Sequence, residues 1–251
     1  MLSSCERRDR VDERELDEFS VKDNLVIGET IKSQIKKMPE IYPVLDEKKY
    51  QKAYTYLNAL LQTLKLTSKV KHRNQFDWEV IILHDDRIKT AFTLPGGQIY
   101  IYTGLLKFLN AEHELMAVLG NEIAYADKEI ISYLLKDEYG GVLLGNITLG
   151  KDIPELPEIA RELPSLEFSE EMVFDADEFA IQLICPFQYD ISGLKGFVQR
   201  AYSNNIEWAL SKRWENIEVR LSNIEGFSEP CGEGGVTNLE QYQRKIKDFL
   251  P

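Results

Sequence analysis

Pro95-Gly96-Gly97 constrains this chain more than any other short stretch, because it separates two segments rich in β-formers, Lys89 to Thr93 and Gln98 to Tyr102. A proline followed by paired glycines does not continue a strand but does set a tight turn. A third such segment, Trp78 to Leu83, comes just before them, so the sequence predicts a small sheet. Ile99 and Ile101 alternate with Tyr100 and Tyr102, which predicts one buried and one solvent-facing side for that strand.

Around this sheet the periodicity is helical. Segments 20–37 and 46–66 carry apolar residues at helical spacing, as in Tyr54, Leu57, Leu60, Leu61 and Leu64. From Asn110 onward the pattern stays helical, with a break at Tyr139-Gly140-Gly141 and a looser acidic, proline-bearing stretch from Lys151 to Pro164. Further helices are expected near 167–185, 191–203, 212–225 and 239–249. With no internal repeat, the expectation is a mainly helical α+β domain over residues 19–251, preceded by a tether over 1–18.

Composition bounds the partners. A hydrophobic content of 43% over 251 residues supplies one substantial core. The formal charge of -12 argues against nucleic acid, whose phosphates would be repelled. No run approaches the ~18 apolar residues that read as a membrane-spanning helix.

Residues 119 to 125, Leu-Gly-Asn-Glu-Ile-Ala-Tyr, carry the frame of the metallopeptidase helix motif HExxH with both histidine positions changed and Glu122 kept. That motif works because side chains four apart stack on one helix face, placing two ligands on the metal and a carboxylate beside its water. Here the stacked pair is Asn121 and Tyr125. The surrounding residues extend the pattern: Thr90-Ala91-Phe92-Thr93-Leu94-Pro95-Gly96-Gly97-Gln98-Ile99-Tyr100-Ile101-Tyr102-Thr103-Gly104-Leu105-Leu106, then Glu114-Leu115-Met116-Ala117-Val118-Leu119-Gly120. A later block, Phe174-Asp175-Ala176-Asp177, is followed by Arg220-Leu221 through Ile224.

Together these blocks resemble the zinc metallopeptidases of the HtpX and CAAX-protease type, across roughly residues 20 to 225. The resemblance implies a zincin-like fold with the small sheet beside the motif helix. It sets the first histidine ligand on Asn121, the second on Tyr125 and the third ligand, a glutamate, on Val173. The general base falls on Glu122, a supporting carboxylate on Asp177, and an auxiliary histidine at or within a residue or two of Trp214.

Catalytic zinc takes three protein ligands from His, Asp, Glu or Cys and an open position for water. An asparagine carbonyl is a weak neutral donor, a tyrosine phenol must lose a proton of pKa ~10, and a valine coordinates nothing. No cofactor is therefore expected, although zinc is the metal of the family that the chain resembles. Without it, nothing would lower the pKa of water or polarise a peptide carbonyl, and Glu122 would be a base without an electrophile.

Two rescues are weaker. His113-Glu114 has Ala117 where a second ligand would stand, so the pair reads as a solvated helix start with an acid near the positive helix end. Asp175, Asp177 and Glu122 together would make an oxygen site for a hard cation, but residues two apart on a helix point away from each other.

Leu2-Ser3-Ser4-Cys5 fits a bacterial lipobox, with the charged run Glu6 to Glu18 as a tether, and predicts lipidation at Cys5 and a periplasm-facing place in the cell envelope. The competing reading is a cytoplasmic chain with an incidental cysteine. Cys185 reads as a buried small hydrophobe; in an oxidising compartment it could pair with Cys231.

The leading expectation is a peptidase homologue without proteolysis that binds a protein or peptide, using Gln98, Tyr100 and Tyr102 as a strand edge for main-chain pairing. The alternatives are a divergent zinc-dependent metalloendopeptidase with unusual ligands, and a structural subunit whose cleft is filled by Tyr125, Val173 and Trp214.

Overall fold

The computed structural model describes residues 19–204, 206, 216–228, 231–232 and 234–251. Cys5, the tether over 1–18 and Trp214 lie outside the described residues. Chain order runs α1 (Val21–Ile35), α2 (Gln51–Lys65), β1 (Glu79–Leu83), β2 (Ala91–Thr93), β3 (Gln98–Tyr102), α3 (Thr103–Phe108), α4 (Glu112–Asp127), α5 (Ile130–Tyr139), α6 (Gly141–Thr148) and α7 (Leu156–Glu162). There follow α8 (Glu170–Ile184), α9 (Ser192–Ser203), α10 (Ile217–Ser228) and α11 (Leu239–Phe249). The architecture is the expected mainly helical α+β arrangement with a small sheet. Among the described residues no helix is long and apolar enough to cross a membrane.

The sheet is ordered β1-β3-β2, with β3 parallel to β1 and antiparallel to β2. Its hairpin turns where the sequence places it, and Gly96 and Gly97 take φ values of 85° and 98° that other residues adopt only under strain. Gln98, Tyr100 and Tyr102 correct the sequence reading in two ways. First, β3 is the middle strand, with ladder bonds on both sides, so it is not an edge. Second, all five of its residues are buried.

The alternation in β3 distinguishes two cores instead of core and solvent. Ile99 and Ile101 join Leu57, Leu61 and Leu64 of α2, whereas Tyr100 and Tyr102 join Ile27, Ile31 and Ile35 of α1. Each of those fully buried isoleucines stabilises the fold by about 1.5–3 kcal/mol relative to exposure. Tyr100 stacks on Phe92 with ring centroids 4.9 Å apart. Burial pushes the Tyr102 phenol up to about 12 and that of Tyr100 higher still, so both remain neutral at physiological pH.

The outer side of β1 is already used: Leu45 N donates to Ile82 O at 2.9 Å and His84 N to Pro43 O at 2.8 Å. β2 is the other outer strand.

Several helix ends follow from local chemistry. Ser20 caps α1 in a reciprocal capping box with Asp23, and Ser169 caps α8 by accepting from Met172 N at 3.2 Å. The stretch expected to be loose contains α7, because Pro157 stands in its first turn, where proline breaks no helical bond.

Cys185 is not the buried small hydrophobe that its apolar segment suggests but takes the other course left open in the sequence, pairing with Cys231. It lies beyond α8, half-buried, and is disulfide-bonded to Cys231 with a Cα–Cα distance of 5.5 Å. The bond closes a sequence separation of 46 residues, which in the chain-entropy account stabilises by about 4 kcal/mol. The paired variant Cys185→Ala with Cys231→Ala is expected to lose about 2–4 kcal/mol in denaturant unfolding while keeping its helical circular dichroism; an unchanged midpoint would show that the link does not constrain the unfolded chain.

Candidate functional site

The site is built on α4. Its Leu115-Met116-Ala117-Val118-Leu119 run, mostly strong helix formers, is apolar all round, the pattern of a helix surrounded by protein. Its first turn is correspondingly not solvated. Glu114 is buried, receives both Nη atoms of Arg200 at 2.8 and 2.6 Å, and accepts from Asn110 N at 2.7 Å. Glu112 accepts from Tyr56 Oη at 2.6 Å, Tyr189 Oη at 2.8 Å and Asn238 Nδ2 at 2.6 Å. Burial alone would raise the Glu112 pKa, but these donors and Lys245 outweigh it and hold the carboxyl below its ordinary value. Glu114 is thus part of an anchoring network, and the His113-Glu114 pair is not a displaced metal motif.

Two turns further on, α4 crosses α8 so closely that a Cβ on Gly120 would lie 2.9 Å from Ala180 Cβ. This approach brings the next residue, Asn121, onto Asp177: its Nδ2 donates to Oδ1 at 2.9 Å. The carboxylate can only accept, which fixes which amide atom faces it. Arg220 of α10 closes the other side with a bidentate contact, Nε to Oδ2 and Nη2 to Oδ1 at 2.7 Å. Asp177 is 0% exposed, Arg220 6% and Asn121 8%, so the group is a buried ion pair completed by an amide.

The other positions named from sequence divide between polar and apolar surroundings. Glu122 is buried beside Asn121. Tyr125 and Val173 belong to the same apolar cluster as Phe168 and Met172, and the Tyr125 and Phe168 rings lie 4.5 Å apart. Asp175 points outward to Lys128 at 3.4 Å while Asp177 points inward, which removes the hard-cation reading. Arg220 is named in the sequence only as the start of a block that matches the family, without a role in the site, and Arg200 is not singled out at all, being one arginine on an otherwise ordinary helix.

Residues 51–135 match the family described as Peptidase family M48. Mitochondrial metalloendopeptidase OMA1 of Arabidopsis thaliana is 27% identical over 127 residues, 50% of this chain and 26% of that protein. The human metalloendopeptidase OMA1 is 37% identical over 67 residues (27% and 13% of the two chains), and that of Schizosaccharomyces pombe 33% over 64 residues (26% and 19%). The chain therefore spans about a quarter or less of these relatives' lengths. These likenesses support a relationship to zincin-like metallopeptidases.

The same comparison corrects the expectation of no cofactor. Metallopeptidases of this family and relatives of this kind are zinc-dependent, so zinc is the cofactor that the relationship implies. The donors at the three positions taken from the resemblance do not fit it. Asn121 donates its amide N–H to Asp177 and has only a neutral carbonyl left to offer, the Tyr125 ring packs on Phe168, and Val173 has no donor atom. Among the described residues no group of three or more His, Cys, Asp or Glu side chains is gathered as a metal would require. A zinc site in this chain would have to draw on other donors.

Removing the amide should expose the cost of a half-satisfied buried carboxylate. Asn121→Ala is expected to lose about 1.5–3 kcal/mol in urea unfolding, the range for hydrogen bonds to charged groups. A loss below about 0.5 kcal/mol, typical of substitutions at inconsequential surface sites, would show that Asp177 does not depend on Asn121.

Proposed function

We propose that this chain is an HtpX-like, M48-type peptidase-fold domain that binds protein or peptide segments without hydrolysing them at the Asn121–Glu122 site. One observation carries the reading: of the three ligand positions taken from the resemblance, Val173 has no donor atom and is buried in an apolar cluster, and Asn121 offers only a neutral carbonyl. Glu122 keeps the place of a general base, but its neighbours on the same helix face supply no electrophile. Binding in place of cleavage needs no metal, only main-chain pairing and side-chain pockets.

The proposal places the chain in the bacterial envelope, tethered by a lipid at Cys5 and facing an oxidising compartment. The Cys185–Cys231 bond supports that placement, because disulfides persist in such compartments. The charge of -12 speaks against a nucleic-acid partner.

A second reading, a divergent zinc-dependent metalloendopeptidase, is favoured by the names of the relatives and by the retained, buried Glu122. A fluorogenic peptide library and casein, assayed with added zinc, separate the two. The proposal expects no turnover above that of Glu122→Gln, together with saturable binding of extended peptides by fluorescence anisotropy. Turnover abolished by Glu122→Gln would establish the enzyme instead. Neither turnover nor binding would leave a structural subunit whose cleft is filled by Tyr125, Phe168 and Val173.

A further inference from the structure

From Lys48 to Phe76 the chain holds no Asp or Glu, although 42 stand among its 251 residues. The end of that stretch, residues 65–73, carries Lys65, Lys69, Lys71 and Arg73. Lys65 lies in the last turn of α2, where the helix dipole favours a cation, but the other three lie beyond the helix and the dipole does not account for them. Among the described residues none of the four forms an ion pair. Lys69 Nζ donates to the neutral Gln182 Oε1 at 2.9 Å, and Arg73 Nη1 to Thr67 O at 3.3 Å. Burial lowers the Lys65 pKa with no carboxylate to offset it, whereas at Lys32 burial is outweighed by Glu79 and the pKa rises.

The loop is held from its inner side. Buried Asp127 accepts from Lys71 N at 2.8 Å and His72 N at 2.7 Å, and the His72 ring stacks on Phe76. The Lys69 and Lys71 side chains are exposed, and between Lys65 and Lys69 stands Leu66, 76% exposed. A partner that suits this set offers negative charge and hydrocarbon together. Anionic phospholipid does so, with phosphates above an acyl boundary that a leucine can reach, whereas nucleic acid supplies the charge alone. The described residues also begin at this end of the molecule: Asn24 Nδ2, early in α1, donates to Phe19 O and to Glu129 Oε1, two residues past Asp127. We propose that the 65–73 loop docks on an anionic phospholipid surface, its cations on lipid phosphates and Leu66 in the acyl boundary. At about 0.1 M salt, charges more than about 10 Å from that surface are largely screened, so acids elsewhere in the chain do not prevent the contact.

The test is vesicle cosedimentation of the full 251-residue chain carrying Cys5→Ser, which makes the outcome independent of the lipid proposed at that residue. Vesicles of phosphatidylglycerol and phosphatidylcholine in equal parts should bind it at least about tenfold more tightly than phosphatidylcholine alone. Lys69→Gln combined with Lys71→Gln, both exposed positions, should weaken that binding about thirtyfold, and Leu66→Ser about tenfold. Equal binding to the uncharged vesicles, undiminished binding in either variant, or a hexaglutamate peptide that binds as tightly as the anionic vesicles at equal charge would each overturn the proposal.

Discussion

The buried ion pair between Asp177 and Arg220 is the constraint around which the site is arranged. Both charges lie away from water, and the desolvation of each costs several kcal/mol unless every lone pair and donor is well matched. The match is made by a bidentate arginine on one side and the Asn121 amide on the other. It requires α4, α8 and α10 to be held in fixed relation, and the approach of Gly120 to Ala180 is what allows the first two to come close enough. The polar middle of the motif helix is consequently closed on itself, while the next turn, at Tyr125, is closed by apolar packing against Phe168.

This closure and the family relationship pull in different directions. Peptidase family M48 and the metalloendopeptidase relatives imply zinc and hydrolysis, and the matched residues 51–135 include the motif helix itself. Yet the positions that the resemblance assigns to ligands hold an amide, a phenol and an isopropyl group, at Asn121, Tyr125 and Val173. The proposed binding domain would reconcile the two, since main-chain pairing of a peptide does not depend on a metal at the helix.

Much of the fold was legible because the local signals agreed. The Pro95-Gly96-Gly97 turn, the α2 stripe from Tyr54 to Leu64 and the limits of α8, α9 and α11 follow from periodicity and turn chemistry. What failed involved tertiary context. The period of β3 is right, but nothing in a period of two says that α1 covers the tyrosine face, nor that β2 and β1 flank the strand. Glu114 looked solvated because an acid at a helix start usually is, and only the fold brings Arg200 to it from 86 residues away. Asn121 and Asp177 were singled out as site positions, but their bond to each other, and the part played by Arg220, depend on a helix crossing that no local pattern encodes.

The central claim, that Asp177, Arg220 and the helices bearing them act as one coupled unit, is most directly tested by a double-mutant cycle using Asp177→Asn and Arg220→Met in urea unfolding. The account predicts that Arg220→Met alone costs about 3–5 kcal/mol, because it strands a buried carboxylate. It further predicts that the double variant recovers at least about 1.5 kcal/mol of the summed single losses. Additive losses, with a coupling below about 0.5 kcal/mol, would contradict it.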